Sequence, residues 1–178
     1  MLQVKTGDVD RMGLLFERHN RALYGFLFHM THRREASEDM VQNVFYRMLK
    51  YRHTFTDESN FAAWMYHIAR NVLKDQVKKY EFANKYDHID DHEEKISGGT
   101  SADEQLEKKQ ARTELYEAMR KLSADDREIL TLSRFQELRY PQVGEIMGIT
   151  AGAARVRVHR AIQDLKNIYI KMERKTGI

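Results

Sequence analysis

Apolar residues return at helical spacing through the first eighty positions. Met12, Leu15, Phe16, Leu23, Phe26, Leu27 and Met30 fall on one side of a long helix. A second helix is predicted from about Ala36 to Tyr51, with Met40, Val41, Val44, Phe45, Met48 and Leu49 on one stripe. A third runs from about Asn60 to Tyr80, carrying Phe61, Trp64, Met65, Ile68, Val72 and Leu73. The connection HTFTDES (53–59) is polar and turn-like. A single amphipathic helix cannot bury its own stripe, so three are expected to face one another around a shared core. Residues 1–80 are read as the first domain.

The pattern dissolves over 81–100, EFANKYDHIDDHEEKISGGT, which has few aliphatics, many acids and a Gly-Gly pair. Such a segment buries too little apolar surface to offset its ordering entropy, so an acidic flexible linker is expected. Helical order resumes at Ser101, whose hydroxyl can cap a helix while Glu104 completes a capping box. Leu106, Leu115, Ala118, Met119 and Leu122 form the next stripe, and Ser123 with Asp126 restarts a helix carrying Ile129, Leu130, Leu132 and Phe135. Pro141 suits the first turn of a short helix, Gly148 its end, and Thr150 the cap of a last helix reaching about Lys171. Residues 101–178 are the second domain. Alternating β-branched runs are missing, so the fold class is all-α: two small helical domains, the C-terminal one holding a helix-turn-helix.

Composition narrows the classes. Cysteine is absent, which excludes disulfides, thiolate zinc sites and cysteine nucleophiles. No apolar run approaches the roughly 20 residues of a membrane span, and the N-terminus MLQVKTGDVD lacks a signal-peptide core. A cytoplasmic protein with no membrane insertion is expected. Net charge is +3, and its distribution is more informative. Residues 1–80 carry 13 Lys/Arg against 9 Asp/Glu, residues 81–110 carry 4 against 9, and residues 111–178 carry 13 against 9. Two basic blocks flank an acidic one. Basic blocks suit polyanions, since each cation on a phosphate releases counterions, although they also merely keep proteins soluble.

The segment YPQVGEIMGITAGAARVRVHRAIQDLKN (140–167) carries the strongest signal. A short helix, a Gly-containing turn and a longer basic helix follow the helix-turn-helix plan. Gly144 permits close helix approach and Gly148 supplies turn geometry. At about 100° per residue, Ala154, Val158, Ala161 and Leu165 share the inward face. Gly152, Val156, His159, Arg160 and Gln163 then point outward, with Arg155 and Arg157 on the flanks. The small N-terminus (Thr150, Ala151, Gly152, Ala153) admits close approach of DNA. Arg155 can bind guanine in bidentate fashion and Val156 a thymine methyl, while Arg157 and Arg160 are better placed for phosphate. A helical hairpin with a solvated basic face is the plainer alternative.

AMRKLSADDREILTLSRFQELRYPQVGEIMGITAGAARVRVHRAIQDL resembles the fourth-region domain of extracytoplasmic-function (ECF) sigma factors of bacterial RNA polymerase. SEDMVQNVFYRMLKYR (37–52) and NFAAWMYHIARNVLKDQVKK (60–79) resemble the second-region domain of that group, in the same order around an acidic linker. The resemblance implies a promoter-specificity subunit without catalytic residues, metal or cofactor. Its partners are then the core polymerase (clamp helices of the largest subunit, flap of the second-largest), promoter DNA and an anti-sigma protein. In that group the linker threads the polymerase's basic RNA channels.

Site residues follow from the same resemblance. Asp39, Gln42, Asn43 and Arg47 match the helix that docks on the clamp helices; spacing alone makes them an ordinary exposed face. The 53–61 loop and the start of the third helix match the element that captures a flipped base of the downstream promoter hexamer. Asn60, Phe61, Trp64, Arg70, Asn71 and Lys74 are the candidates there. Strand opening needs aromatic platforms for unstacked bases and cations for the backbone. Trp64 also lies on the apolar stripe, so core packing with one exposed ring edge stays open. Arg70, Lys74, Lys78 and Lys79 form either a phosphate-tracking stripe or a solvated face.

Departures from the group are Arg139 at a common Ser/Thr cap, Pro141 for a common glutamate, and Ala153–Ala154 for the commoner Thr–Val pair. The upstream element recognised therefore cannot be copied from relatives. Asp87, His88, Asp90, Asp91 and His92 have a spacing that can hold a metal, but they fall in the least ordered segment and read as solvated linker. The alternative function is a dimeric helix-turn-helix repressor or activator that is not a polymerase subunit; a helical adaptor for acidic proteins is a further rival.

Overall fold

A computed structural model describes residues 1–58, 60–84 and 104–176, and every regular element among them is helical. The chain divides into two units, Met1–Glu94 and Lys95–Ile178. No helix among the described residues is long and apolar enough to cross a membrane.

The first unit is built on α2 (Arg11–Thr31), α3 (Arg34–Lys50) and α4 (Phe61–Asn84), preceded by a short α1 (Leu2–Lys5). His32 turns the chain between α2 and α3 in the left-handed region (φ 55°), its N–H donating to the Phe28 carbonyl at 2.8 Å. Ser37 is fully buried there, yet its hydroxyl donates to the Arg33 carbonyl at 2.6 Å and lies 3.0 Å from the Thr31 hydroxyl. A buried polar group satisfied in this way costs little and fixes the corner. Leu23, Phe26, Leu27, Met40, Val44, Met48, Met65 and Ala69 then close the core.

Three details depart from the expected pattern. Burial on α2 begins at Leu23: Met12 and Leu15 are only half-buried, and Phe16 is exposed although its ring lies 4.9 Å from that of Phe45. Helix α4 continues to Asn84, four residues past the expected end at Tyr80, since no Gly or Pro interrupts EFAN. Phe55, inside the polar connection, is buried. Burial also raises the Tyr66 phenol above its ordinary range, so this residue packs against Phe26 as a neutral ring.

The second unit comprises α5 (Glu104–Arg120), α6 (Ala124–Leu130), α7 (Tyr140–Met147) and α8 (Ala151–Thr176). The expected Ser101 cap and the Asp87–His92 cluster lie outside the described residues. Ser123 caps α6, its hydroxyl accepting the Asp126 N–H at 3.1 Å. The single helix expected through Phe135 instead ends at Leu130 and widens into a π-type turn over Thr131–Phe135. Gln136 N–H reaches back to the Thr131 carbonyl at 3.0 Å, and Glu137 takes φ 53°. The wider turn shifts the register by about one residue, which rotates Phe135 off the inward stripe and leaves it exposed. Tyr169 on the far half of α8 donates its hydroxyl to Glu114 of α5 at 2.8 Å, closing the unit.

Candidate nucleic-acid interface

In the second unit the turn between α7 and α8 is tight. A Cβ built on Gly144 meets the Ile149 carbonyl oxygen at 2.7 Å, so only glycine allows this approach. Gly148 supplies φ 70°, and the Ile149 N–H closes back on the Gly144 carbonyl at 2.9 Å. The α7 N-terminus lacks the usual hydroxyl cap; Gln142 substitutes, its Oε1 accepting the Arg139 N–H at 3.0 Å, while Pro141 occupies the first turn. Thr150 Oγ1 accepts the Ala153 N–H at 3.1 Å and starts α8.

Ala154, Val158 and Ala161 are wholly buried, so the opposite side of α8 is fixed in orientation. Gly152, Ala153, Arg155, Val156, His159 and Arg160 are exposed, Val156 to 51%. Val156 thus stands on this outer face between Arg155 and Arg157. Arg157 differs. It is half-buried, with Nη2 2.7 Å from Asp125 Oδ2 and Nε 3.9 Å from Asp126 Oδ1. This expected phosphate contact is engaged with the first turn of α6.

In the first unit Asn60, Phe61 and Trp64 come together at the start of α4. Asn60 caps that helix, its Oδ1 accepting the Ala63 N–H at 3.1 Å. Phe61 is half-buried beside His19 of α2, with ring centroids 5.0 Å apart. Trp64 is also half-buried: its indole N–H donates to Thr54 Oγ1 at 3.2 Å, and Phe55 meets its ring edge-on at 5.3 Å. Trp64 thus packs along one edge and leaves part of its ring exposed. Burial, then the charge of Arg18, lowers the pKa of His19, whose ring is tilted against Phe61, below the ordinary imidazole value. Arg70, Asn71 and Lys74 sit farther along α4, roughly 15–21 Å from Asn60 at the usual rise. Asn71 and Lys74 are exposed and Arg70 is half-buried. They do not share a pocket with the aromatic cluster.

On α3, Asp39, Gln42 and Asn43 are exposed as expected. Arg47 instead ties α3 to α4, with Nη1 2.8 Å from Asp75 Oδ2 and Nε donating to Asn43 Oδ1 at 3.0 Å. Tyr46, 65% exposed on the same face, escaped the sequence reading; its spacing from Asn43 and Gln42 was the available signal. Beside this face runs a groove of about 450 Å³ between α2 and α3, lined by Phe16, Asn20, Arg21, Tyr24, Glu38, Val41 and Gln42. Thr54, Phe55, His19 and Asp125 were also missed. Only Phe55, an aromatic in a polar loop, left any local trace.

Known families show the same two-part division. The Sigma-70 region 2 model matches residues 15–82 and the Sigma-70 region 4 model residues 112–165, together about two thirds of the chain. The chain is 28% identical to the RNA polymerase sigma factor CarQ of Myxococcus xanthus, over 97% of both proteins. It is 29% identical to the ECF RNA polymerase sigma factor SigM of Bacillus subtilis, over 87% of this chain and 93% of that one. In fold it is similar to the sigma factor RpoE solved in complex with the anti-sigma factor NepR from Bartonella quintana. That match has TM-score 0.72 and 24% identity, and covers 88% of this chain and 94% of the other. With both domain models in order, full-length relatives of one kind and a helix-turn-helix built as described, the chain belongs to the ECF group of bacterial RNA polymerase sigma factors.

Proposed function

We propose that the two units divide promoter recognition between them. The second unit reads the upstream promoter element as duplex, with Arg155 and Val156 on base edges, His159 and Arg160 beside them, and the Thr150–Ala153 turn against phosphate. The first unit docks on the clamp helices of the core polymerase through Asp39, Gln42, Asn43 and Tyr46. It captures the opened downstream strand at Asn60, Phe61 and Trp64, with Arg70, Asn71 and Lys74 along the backbone. Arg47 and Arg157 act through their carboxylate partners, holding α3 and α8 in position.

The observation that carries this reading is α8. One face is wholly buried while Arg155, Val156 and Arg160 stand exposed on the other. Catalysis then belongs to the polymerase, and this chain supplies binding, orientation and strand capture in the bacterial cytoplasm. The similar sigma factor RpoE is solved with an anti-sigma factor, which supports a partner of that kind here. Run-off transcription with purified core polymerase on a fragmented genomic library from the source organism tests it. Discrete new transcripts sharing two upstream elements are expected. DNA binding without core enzyme and without new transcripts contradicts the reading and favours a stand-alone repressor or activator.

A further inference from the structure

The α1 helix lies before the start of the region 2 match at residue 15, yet it is built into the first unit. Val4 is wholly buried. Lys5, half-buried, donates from Nζ to the Phe55 carbonyl at 2.7 Å, across 50 residues of sequence. A short, partly desolvated contact from an ammonium is among the stronger hydrogen bonds a loop carbonyl can receive. Phe55 in turn is buried, with its ring against Trp64 at 5.3 Å and Phe61 at 6.1 Å. Thr54, the preceding residue, accepts the Trp64 indole N–H at 3.2 Å and donates its own hydroxyl to the Tyr51 carbonyl at 2.8 Å. Thus the loop backbone is gripped from α1, and the gripped residue sets the attitude of both half-exposed rings.

We propose that α1 is a brace for strand capture and Lys5 a positioning residue: the bond to Phe55 pre-orders the loop that holds Trp64 and Phe61, so promoter opening depends on a helix that touches no DNA. This rests on the assignment of the 53–61 loop to the downstream strand. A capture platform already held in its working geometry pays no ordering entropy when a base unstacks onto it. Without the Lys5 bond the carbonyl turns to water, Phe55 loosens, and the rings sample several attitudes.

Lys5→Met keeps the aliphatic stem and removes the donor; Lys5→Arg keeps a donor. Each is assembled with core polymerase on the promoter found by run-off transcription. Permanganate reactivity of unpaired thymines then follows opening, on duplex template and on a heteroduplex already unpaired across the downstream element. Lys5→Met is expected to slow opening of the duplex about tenfold, the scale of one lost charged hydrogen bond. It leaves the heteroduplex complex and the initial closed-complex affinity unchanged, and Lys5→Arg recovers most of the rate. Wild-type opening by Lys5→Met overturns the brace, as does an equal loss on both templates, which marks a docking or folding fault. If the wild-type protein itself opens no promoter, the strand-capture assignment fails, and that result is distinct from both.

Discussion

The two candidate interfaces are assembled differently. The upstream reader is largely local: α7, its turn and the first half of α8 lie within 140–163, and the contacts that shape its turn join residues a few positions apart, with the Arg157–Asp125 pair as the distant tie. The downstream platform is gathered from afar, with Lys5 from α1, His19 from α2, Thr54 and Phe55 from a loop, and Phe61 and Trp64 from α4. A local site is fixed by turn chemistry and helix phase. A gathered one is fixed by tertiary packing, so its failures are expected to spread through the domain.

The sharpest test of that difference is Phe55→Ala. Emptying this buried position is expected to cost the first unit about 3–5 kcal/mol. Trp64 is the chain's only tryptophan, so its fluorescence reports unfolding of this unit alone. An earlier fluorescence transition, with duplex affinity for the upstream element retained, is the expected outcome. Gly144→Ala is the counterpart in the second unit. The new methyl meets the Ile149 carbonyl oxygen at 2.7 Å, and an overpacked site of this kind costs about 1–3 kcal/mol. Helical circular dichroism then melts in an earlier step while the Trp64 transition stays put. Should both variants shift both signals equally, the two units unfold as one and the contrast collapses.

A smaller effect separates the arginines of α8. Arg160→Ala is expected to lower the salt slope of holoenzyme binding to the promoter by about 0.9, the loss of one phosphate contact, whereas Arg155→Ala relaxes discrimination at one base pair of the upstream element. Arg157→Ala leaves the slope nearly intact, because its guanidinium already faces Asp125. An equal fall for Arg157→Ala and Arg160→Ala returns Arg157 to the phosphate contacts.

The smallest effect is a pH dependence. His19 has a folded-state pKa below its ordinary value, so at lower pH the unfolded chain binds more protons than the folded one. Stability of the first unit is therefore full above about pH 6.5 and falls as pH drops below it. His19→Phe keeps a ring against Phe61 and flattens this arm of the fluorescence-monitored stability profile. An unchanged profile removes His19 from the account.

How much was legible follows from the same contrast. Helix phase placed Ala154, Val158 and Ala161 inward and Val156 outward, and the structure agrees, because packing along one helix is periodic. Gly144, Gly148 and Thr150 were readable because backbone geometry and capping act within a turn. The widened turn at Thr131–Phe135 was not, since nothing in the apolar spacing distinguishes an i→i+4 ladder from an i→i+5 one. Arg157 looked like its neighbours until α6 brought Asp125 beside it, and Arg47 until α4 brought Asp75. Val4 and Lys5 sit in a segment too short to show any period. Distant partners leave no mark on local pattern.

The central claim is that one unit reads duplex and the other holds an opened strand. Holoenzymes carrying Arg155→Ala or Trp64→Ala, compared on fully paired promoter and on promoter pre-opened across the downstream element, test it most directly. Trp64→Ala is predicted to lose most transcription on paired DNA and regain it on the pre-opened template, while Arg155→Ala stays impaired on both. If pre-opening rescues Arg155→Ala, or leaves Trp64→Ala as impaired as before, the division of labour is wrong.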